Sequence, residues 1–224
     1  MKVGTDGVLL GAWGDVSGIR SVLDIGTGTG LIALMMAQRL SSSEEEFRID
    51  AVEIDPEAAA QAQENVNNSR WSDSVHIHAT SLEAFTTTAN YDLIISNPPF
   101  YNATLKPEDE ARAVARHKDS LPLSHITDFA RTHLSTSGEL RLIYPTSYDS
   151  EVMTSALLSG LHPITLCDVL TKKGKPCKRR MATFALPTHP QKEVERQILM
   201  IRDEEGNYSR EYSEMVSEFY LRLN

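Results

Sequence analysis

The chain has 224 residues, of which 41% are apolar and 24% charged, which is typical of a globular protein with one sizeable α/β core. Its formal net charge of −9 argues against a general affinity for nucleic acid. No apolar run approaches the roughly 20 residues that span a bilayer, and the first residues lack a signal peptide's apolar stretch, so we expect a cytoplasmic protein without membrane contact. We expect the two cysteines, Cys167 and Cys177, to be reduced thiols, and no Cys/His cluster predicts a metal site.

Strands and helices alternate through the first 160 residues. The predicted strands cover 22–25, 48–54, 75–79, 91–96 and 138–144, and the predicted helices cover 31–40, 56–68, 123–134 and 148–159. Two further strands, 162–171 and 179–186, are joined by a basic loop and predict an antiparallel hairpin, followed by an amphipathic helix at 208–221. This order predicts a single domain over residues 1–224 with a Rossmann-like, doubly wound, mostly parallel sheet and a C-terminal antiparallel hairpin.

The segment "DIGTGTG" (24–30) follows the first strand and opens a helix. Glycines permit positive φ and close approach of a ligand, and the helix N-terminus favours a polar or anionic group. A dinucleotide fingerprint would need Gly or Ala where this chain has Leu31. G-x-G-x-G after an acidic residue is instead the pattern of S-adenosylmethionine methyltransferases, and a carboxylate at the end of the second strand can accept hydrogen bonds from ribose hydroxyls. The predicted cofactor residues are Asp24, Gly26, Gly28, Gly30 and Glu53. Asp55 is a weaker candidate, because an Asp before Pro is often the cap of the next helix.

The fourth strand ends in "NPPF" (97–100). An exocyclic amine such as adenine N6 is a poor nucleophile because its lone pair is delocalised into the ring. The side-chain oxygen of Asn97 and the carbonyl of Pro98 can each accept one N–H hydrogen of such an amine, and Pro99 restricts the preceding backbone. Phe100 offers a face for a flat base or amide. The motif predicts methyl transfer to a planar amine, with Asn97 also adjoining the cofactor, and leaves both an RNA adenine and a protein glutamine open as acceptors.

Four blocks of sequence, "KVGTDGVLLGAW" (2–13), "LDIGTGTGLIAL" (23–34), "AVEIDPEAAAQAQENVNNS" (51–69) and "DLIISNPPFY" (92–101), resemble the bacterial valine-tRNA adenine-N6 methyltransferases. The tail "NYSREYSEMVSEFYL" (207–221) is similar as well, so the resemblance covers nearly the whole chain. It implies a class I methyltransferase fold, S-adenosylmethionine as cofactor and an adenine just 3′ of the anticodon as acceptor. It also implies that Thr5 and Asp6 lie near the methionine end of the cofactor. Where the family usually has an acidic residue that reads the cofactor's adenine, this chain has Ser81, which can still hydrogen-bond.

A tRNA partner requires a phosphate-binding surface and a base that can be splayed into the pocket. The predicted RNA contacts are six charges in nine residues of the hairpin, Lys172, Lys173, Lys175, Lys178, Arg179 and Arg180, with Arg112, Arg116 and Lys118 as a second group. Enzymes that methylate a protein glutamine usually carry an extra N-terminal helical domain that this sequence lacks. A cofactor-binding module without catalysis is disfavoured by the intact Asn-Pro-Pro-Phe. The sequence leaves the oligomeric state open.

Overall fold

The computed structural model describes residues 4–43, 45–100 and 121–220. Its helices are α1 (Thr5–Ala12), α2 (Leu31–Leu40), α3 (Pro56–Asn67), α4 (Leu123–His133), α5 (Asp149–Leu158) and α6 (Arg210–Val216). Its strands are β1 (Ser21–Ile25), β2 (Arg48–Glu53), β3 (Val75–Ala79), β4 (Tyr91–Ser96), β5 (Leu134–Pro145), β6 (His162–Leu170), β7 (Arg179–Ala185) and β8 (Glu195–Met200). Short 3₁₀ turns lie at Thr146–Tyr148 and Ser217–Phe219.

The eight strands form one sheet in the order β3-β2-β1-β4-β5-β7-β6-β8. Within the described ranges β7 runs antiparallel to β5 and β6, and the other neighbouring strands pair in parallel. The mostly parallel, Rossmann-like sheet and the antiparallel hairpin of β6 and β7 are therefore confirmed. From β1 the chain adds β2 and β3 on one side, and then crosses to add β4 and β5 on the other side. In open α/β sheets a ligand crevice lies outside the carboxyl ends of the strands at such a switch point, here between β1 and β4.

Helices cover both faces of the sheet because successive strand residues point to opposite sides. On β4, Leu93 and Ile95 belong to the hydrophobic cluster that contains α1, α2 and α6, while Ile94 belongs to the cluster with α4 and α5. All three side chains are fully buried. The central strands thus lie between two apolar layers, and polar residues that follow these strands are concentrated at the edge of the sheet.

The start of α3 is fixed as the sequence predicts. The Asp55 carboxylate accepts hydrogen bonds from the amides of Glu57 and Ala58 at 2.9 and 3.0 Å, and Pro56 occupies the first helical position, where its missing N–H costs nothing. Asp55 is therefore the N-cap of α3, and its own amide donates to the Glu53 carboxylate at 2.9 Å.

Four elements were either not predicted or differ from their predicted limits by more than two residues at one end. The helix α1 and the edge strand β8 were not predicted, and β5 begins four residues early at Leu134, which pairs with Tyr91 across a register shift. The terminal helix ends at Val216 and continues as a 3₁₀ turn, so it is shorter than predicted. In β8 only Leu199 is buried, so the strand lacks a clear apolar alternation.

Two general features concern the described residues alone. No helix in the ranges 4–43, 45–100 and 121–220 is long and apolar enough to cross a membrane. Both cysteines are free thiols, with Cys167 buried in β6 and Cys177 partly buried just before β7. Burial raises the pKa of the Cys167 thiol to about 12, so this side chain acts as a neutral apolar group in the core.

Candidate active site

The polar positions singled out in the sequence come together at the carboxyl edge of the sheet. Gly26 follows β1, Ser81 and Asn97 follow β3 and β4, and Glu53 ends β2. Because these four strands are parallel, their carboxyl ends lie side by side. The structure therefore brings the glycine turn and the Asn-Pro-Pro-Phe segment to one edge, at the switch point between β1 and β4.

The glycine turn has the backbone that its sequence predicts. Gly26, Gly28 and Gly30 have φ of 71°, 60° and 84°, in the left-handed region that side chains with a Cβ rarely adopt. The amides of Gly26 and Thr27 donate to the Val52 carbonyl at 2.9 and 3.1 Å, which holds the turn against β2. A Cβ at Gly26 would meet no described atom within 4 Å, so its Cα faces open space that a ligand can enter.

Gly30 has a different role from Gly26. It is the N-cap of α2, and a Cβ there would lie 3.4 Å from the Cβ of Ala62 on α3. The hydrogen of Gly30 thus allows two helices to approach closely. Its assignment as a cofactor residue stays a prediction, and the geometry gives it a packing role.

Asp24 is completely buried, and its carboxylate holds the glycine turn to the start of α2. Its Oδ2 accepts hydrogen bonds from the Thr27 hydroxyl at 2.5 Å and from the Ala33 amide at 3.1 Å. Burial raises the pKa of Asp24 to about 7, against the lowering effect of these two hydrogen bonds. Its Oδ1 is buried without a hydrogen-bond partner in the described part of the chain, an uncommon state for a buried acceptor, which a bound polar group would relieve.

Glu53 connects the end of β2 to the glycine turn. The side chain is 8% exposed, its Oε2 accepts from the Gly28 amide at 2.8 Å, and its Oε1 accepts from the Asp55 amide at 2.9 Å. A carboxylate oxygen has two lone pairs, so Glu53 can hold the backbone and still accept a ligand hydroxyl. The next residue, Ile54, is 59% exposed and offers an apolar surface beside this carboxylate. Sequence reasoning missed Ile54, although an apolar residue directly after the strand's last acid was the signal.

The end of β4 is joined to the end of β1. The Ser96 hydroxyl donates to the Ile25 carbonyl at 2.8 Å, which sets Asn97 beside the glycine turn. Asn97 is partly exposed and Pro98 is buried. Within the described ranges no hydrogen bond joins the Asn97 side chain to another residue, so its amide oxygen is free to accept one. The local fold thus leaves an acceptor open next to the predicted cofactor site.

Phe100 lies in a group of aromatic rings. Its ring centroid is 4.9 Å from that of Tyr148, at an interplanar angle of 52°, and 6.3 Å from that of Tyr144. The Tyr144 hydroxyl donates to Asp149 Oδ1 at 3.0 Å, and burial together with that carboxylate raises the pKa of Tyr144 well above its usual value. Sequence reasoning missed both tyrosines, which lie beyond the last strand it used for the site.

Ser81 begins a turn that follows β3, and its carbonyl accepts hydrogen bonds from the amides of Ala84 and Phe85. Its hydroxyl accepts a hydrogen bond from the Ala84 amide at 3.3 Å. The carboxylate of Glu83, two residues further along the chain, lies 2.6 Å from His125 Nδ1. The Ser81 hydroxyl also hydrogen-bonds the Glu83 carboxylate, so a ligand would compete with that carboxylate for the hydroxyl hydrogen. A contact between Ser81 and the cofactor stays a prediction.

The first turn of α1 lies near the glycine turn. A Cβ at Gly7 would lie 3.2 Å from the side chain of Leu31, the first residue of α2. Gly4 is the N-cap of α1, so Thr5 and Asp6 lie in the first turn of the helix. Thr5 is exposed, and Asp6 Oδ2 lies 2.7 Å from Arg179 Nε.

The basic loop of the hairpin lies at the same edge as Asn97. Arg179, the first residue of β7, pairs with Pro145 at the end of β5 and with Val169 near the end of β6. We define the lysine loop as residues 171–178, which join β6 to β7 and carry Lys172, Lys173, Lys175 and Lys178. Strands β4, β5 and β6 point in one direction, so this loop and Asn97 face the same side of the molecule.

The lysines differ in their partners. Lys172 Nζ donates to the Glu204 carbonyl at 2.7 Å, and Lys173 Nζ lies 2.6 Å from the Glu204 carboxylate. Lys175 and Lys178 are exposed and form no ion pair with another described residue. Exposed pairs such as Lys173–Glu204 are weak and exchange readily, so all four lysines can meet an anion.

The two arginines after the loop are held by carboxylates. Arg180 contacts Asp149 at 2.6 Å through Nη1 and Asp168 at 2.7 Å through Nε, and its side chain is 17% exposed. Those two carboxylates raise the pKa of Arg180 further, and its charge is balanced inside the protein. Arg179 contacts Asp6. Of the second group, Arg112, Arg116 and Lys118 lie outside the described residues.

Metal ligands were not predicted from the sequence. Over residues 4–43, 45–100 and 121–220, no three His, Cys, Asp or Glu side chains are grouped so that they could hold a metal ion.

The strand order, the glycine turn after β1, the acid at the end of β2 and the Asn-Pro-Pro-Phe after β4 together define the class I methyltransferase fold. Solved methyltransferase structures share it. One described as a predicted O-methyltransferase from Agrobacterium tumefaciens superposes with a TM-score of 0.70 over 95% of this chain and 96% of its own, at 15% identity. The glycopeptide N-methyltransferase MtfA in complex with S-adenosylmethionine superposes with a TM-score of 0.55 over 78% of this chain and 89% of its own, at 12% identity.

The chain belongs to the methyltransferase small domain family, whose sequence pattern matches residues 14–165. Full-length relatives are similar as well. A tRNA1(Val) (adenine(37)-N6)-methyltransferase from Trichodesmium erythraeum is 43% identical over 99% of this chain and 92% of its own length. Proteins of the same name from Haemophilus influenzae strain PittEE and Bacteroides thetaiotaomicron are each 40% identical over 100% of this chain and 93% and 92% of their lengths. The family and the fold indicate S-adenosylmethionine as the methyl donor.

Proposed function

We propose that this protein transfers a methyl group from S-adenosylmethionine to the N6 amine of an adenine in tRNA, namely adenine 37 of tRNA1(Val), as the names of its relatives state for them. The observation that carries the proposal is the position of Asn97-Pro98-Pro99-Phe100, at the carboxyl end of β4 and beside the glycine turn. An acceptor amine held there lies next to the crevice at the switch point, where the cofactor of this fold class is expected.

The residues at the crevice fit the cofactor. S-adenosylmethionine, when bound, supplies an electrophilic methyl group on a sulfonium. The open space at Gly26 and the unpaired Oδ1 of Asp24 suit close approach of a polar ligand. Glu53 has acceptor capacity for ribose hydroxyls, and Ile54 offers an apolar surface for a flat ring. Gly28, Gly30, Thr5, Asp6, Ser81 and Asn97 complete the proposed cofactor-binding set.

Asn97 prepares the acceptor rather than removing its proton. The Asn97 oxygen and the Pro98 carbonyl each accept one hydrogen of the amine, which favours a more tetrahedral nitrogen and restores the lone pair. Pro99 holds the Pro98 carbonyl in place. Because Asn is not a base at neutral pH, the proton leaves after methyl transfer, and the side chain contributes by alignment and charge stabilisation.

Phe100 provides the flat surface of the acceptor pocket. A tRNA base must leave its stack before N6 can reach Asn97, and an aromatic ring compensates for the lost stacking. The ring of Tyr148, in tilted contact with Phe100, supports this proposal as a second aromatic surface beside the segment. Two rings give a base, which is larger than a glutamine amide, more surface on which to stack.

The lysine loop is the proposed phosphate-binding surface. Lys172, Lys173, Lys175 and Lys178 concentrate positive charge on a protein of net charge −9, at the edge that also holds Asn97. Phosphate contacts position a nucleic acid without reading its sequence. Arg180 is balanced by two aspartates, so we leave it out of this surface. We further propose that residues 1–224 act as one domain in the cytoplasm, where tRNA is modified.

The alternative acceptor, a protein glutamine, presents the same planar NH₂ to Asn97. A direct test supplies S-adenosylmethionine with a labelled methyl group together with tRNA from cells that lack this enzyme, or with a total protein extract. The proposal expects label in tRNA at adenine. Label in protein with none in RNA would overturn the substrate assignment and leave the methyltransferase assignment standing.

A further inference from the structure

Arg179 lies between the cofactor side and the RNA side of the site. It is the first residue of β7, directly after the lysine loop, and its partner Asp6 is in the first turn of α1. That turn packs on Leu31 at the start of α2, as the 3.2 Å approach at Gly7 shows. Arg179 and Asp6 therefore join the lysine loop, the proposed phosphate-binding surface, to the helix beside the glycine turn.

The guanidinium makes two contacts at once. Its Nε lies 2.7 Å from Asp6 Oδ2, and its Nη1 donates to the Lys178 carbonyl at 3.1 Å. The same carbonyl accepts the Thr146 amide at 3.2 Å, so the backbone of Lys178 is held from two sides. Asp6 in turn lies in the first turn of a helix, where the exposed N–H groups stabilise a carboxylate.

We propose that Arg179 is a positioning residue for tRNA binding rather than a phosphate ligand. It fixes the backbone of Lys178, and through it the end of the lysine loop, against α1. This inference rests on the proposed tRNA substrate. Its physical basis is that the Arg179 guanidinium is held by Asp6 and by the Lys178 carbonyl at once, with a side chain 40% exposed against 70% for the singly paired Lys173. Lys178, in contrast, is exposed and has no ion-pair partner among the described residues.

The test is the equilibrium binding of tRNA at several salt concentrations, because salt dependence counts the phosphates that a protein neutralises. Arg179→Gln should weaken tRNA binding by about two- to fivefold, the range for loss of an exposed ion pair, and leave the slope of log Kd against log salt unchanged. Arg179→Lys keeps the charge but cannot bridge Asp6 and the Lys178 carbonyl, so it should be as weak as Arg179→Gln.

Asp6→Asn supplies the second arm. If Asp6 and Arg179 act as one unit, Asp6→Asn should weaken tRNA binding as much as Arg179→Gln, and the double variant should be no weaker than either. S-adenosylmethionine binding is measured separately on each variant, because Asp6 is also proposed to lie near the cofactor. The Arg179 variants should bind the cofactor as the unaltered protein does.

Arg20→Gln is the matched control. Arg20 pairs with Glu45 at the opposite, amino edge of the sheet, and its side chain is 37% exposed against 40% for Arg179. The control should bind tRNA normally, and thermal unfolding checks that every variant is folded.

Two results would overturn the inference. In one, Arg179→Gln lowers the salt slope by about 0.7 to 0.9, the value for one phosphate contact, while Arg179→Lys binds normally and Asp6→Asn binds more tightly. In the other, Arg179→Gln binds tRNA as the unaltered protein does. Failure of the unaltered protein to bind and methylate tRNA would instead contradict the proposed function itself.

Discussion

The amide of Gly28 donates a 2.8 Å hydrogen bond to the carboxylate of Glu53, which joins the glycine turn after β1 to the end of β2. The other oxygen of the same carboxylate accepts the Asp55 amide at 2.9 Å. One buried side chain thus sets the backbone of the turn and the cap of α3. The cofactor crevice is preorganised by this carboxylate before any ligand enters it.

Replacing Glu53 by Gln should therefore weaken cofactor binding. The amide nitrogen of Gln would face one of the two backbone N–H groups, and a buried hydrogen bond to a charged group is worth about 1.5 to 3 kcal/mol. We expect the Kd for S-adenosylmethionine, measured by calorimetry, to rise at least about tenfold. Glu57→Gln, an exposed position in the first turn of α3, is the control. Normal cofactor binding by a folded Glu53→Gln protein would show that the carboxylate is dispensable.

Asn97→Ala should separate catalysis from binding. Loss of the amide oxygen removes one acceptor for the amine, and losing one such group commonly lowers kcat by about 10² to 10³. Cofactor affinity, measured on the same protein, should change little. Asn90→Ala, an exposed residue just before the amino end of β4, should keep full activity. An equal loss of turnover and cofactor binding in Asn97→Ala would mean that Asn97 is structural.

The lysine loop should govern the salt dependence of tRNA binding. Replacing Lys175 and Lys178 by Ala should raise the Kd for tRNA and reduce the slope of log Kd against log salt by about 0.7 to 0.9 for each phosphate that the variant no longer neutralises. Lys192 lies at the amino edge, between β7 and β8, so the control variant Lys192→Ala should leave the slope unchanged. A double lysine variant with an unaltered slope would exclude the loop from the RNA surface.

Asp24 should make the stability of the cofactor-free protein depend on pH. Its pKa is raised by burial from 3.8 to about 7. Between these two pH values the Asp24 carboxyl is therefore protonated in the folded state and ionised in the unfolded state. The stability contributed by this group is complete below pH 3.8 and is lost as the pH rises to about 7. Urea unfolding at several pH values should therefore show the protein losing stability relative to Asp24→Asn over this range. If the difference in unfolding free energy between the protein and Asp24→Asn stayed constant with pH, Asp24 would be ionised in the folded state.

The central strands were predictable because each is an apolar run that ends in a turn signal. β3 and β4 have the predicted limits, and Glu53 and Asn97 were located by their position after such runs. The strand β8 was not predictable in this way, since Glu195, Arg196 and Gln197 begin it and it needs only one neighbour, β6. Edge strands with one partner tolerate charged residues, so their pattern is weak.

The charges of the hairpin have ion-pair partners that the local sequence pattern does not reveal. Six basic residues in a short stretch predict an anion-binding surface, but Arg179 finds its partner 173 residues away in Asp6, and Arg180 finds Asp149 and Asp168. The Arg180–Asp168 pair follows from the register of the β6–β7 hairpin, whereas the Arg180–Asp149 pair requires β7 to lie beside β5. Sequence reasoning counted the charges correctly, and tertiary structure decides which of them remain available to RNA.

The most direct test of the proposed function is mass spectrometry of nucleosides from tRNA that has been incubated with the protein and S-adenosylmethionine. The tRNA comes from cells that lack the enzyme, and Asn97→Ala protein serves as the control. The proposal expects N6-methyladenosine to appear with the unaltered protein, at the position 3′ of the anticodon in the valine tRNA, and to be strongly reduced with Asn97→Ala. Absence of N6-methyladenosine, with a protein that is folded and binds S-adenosylmethionine, would contradict the account.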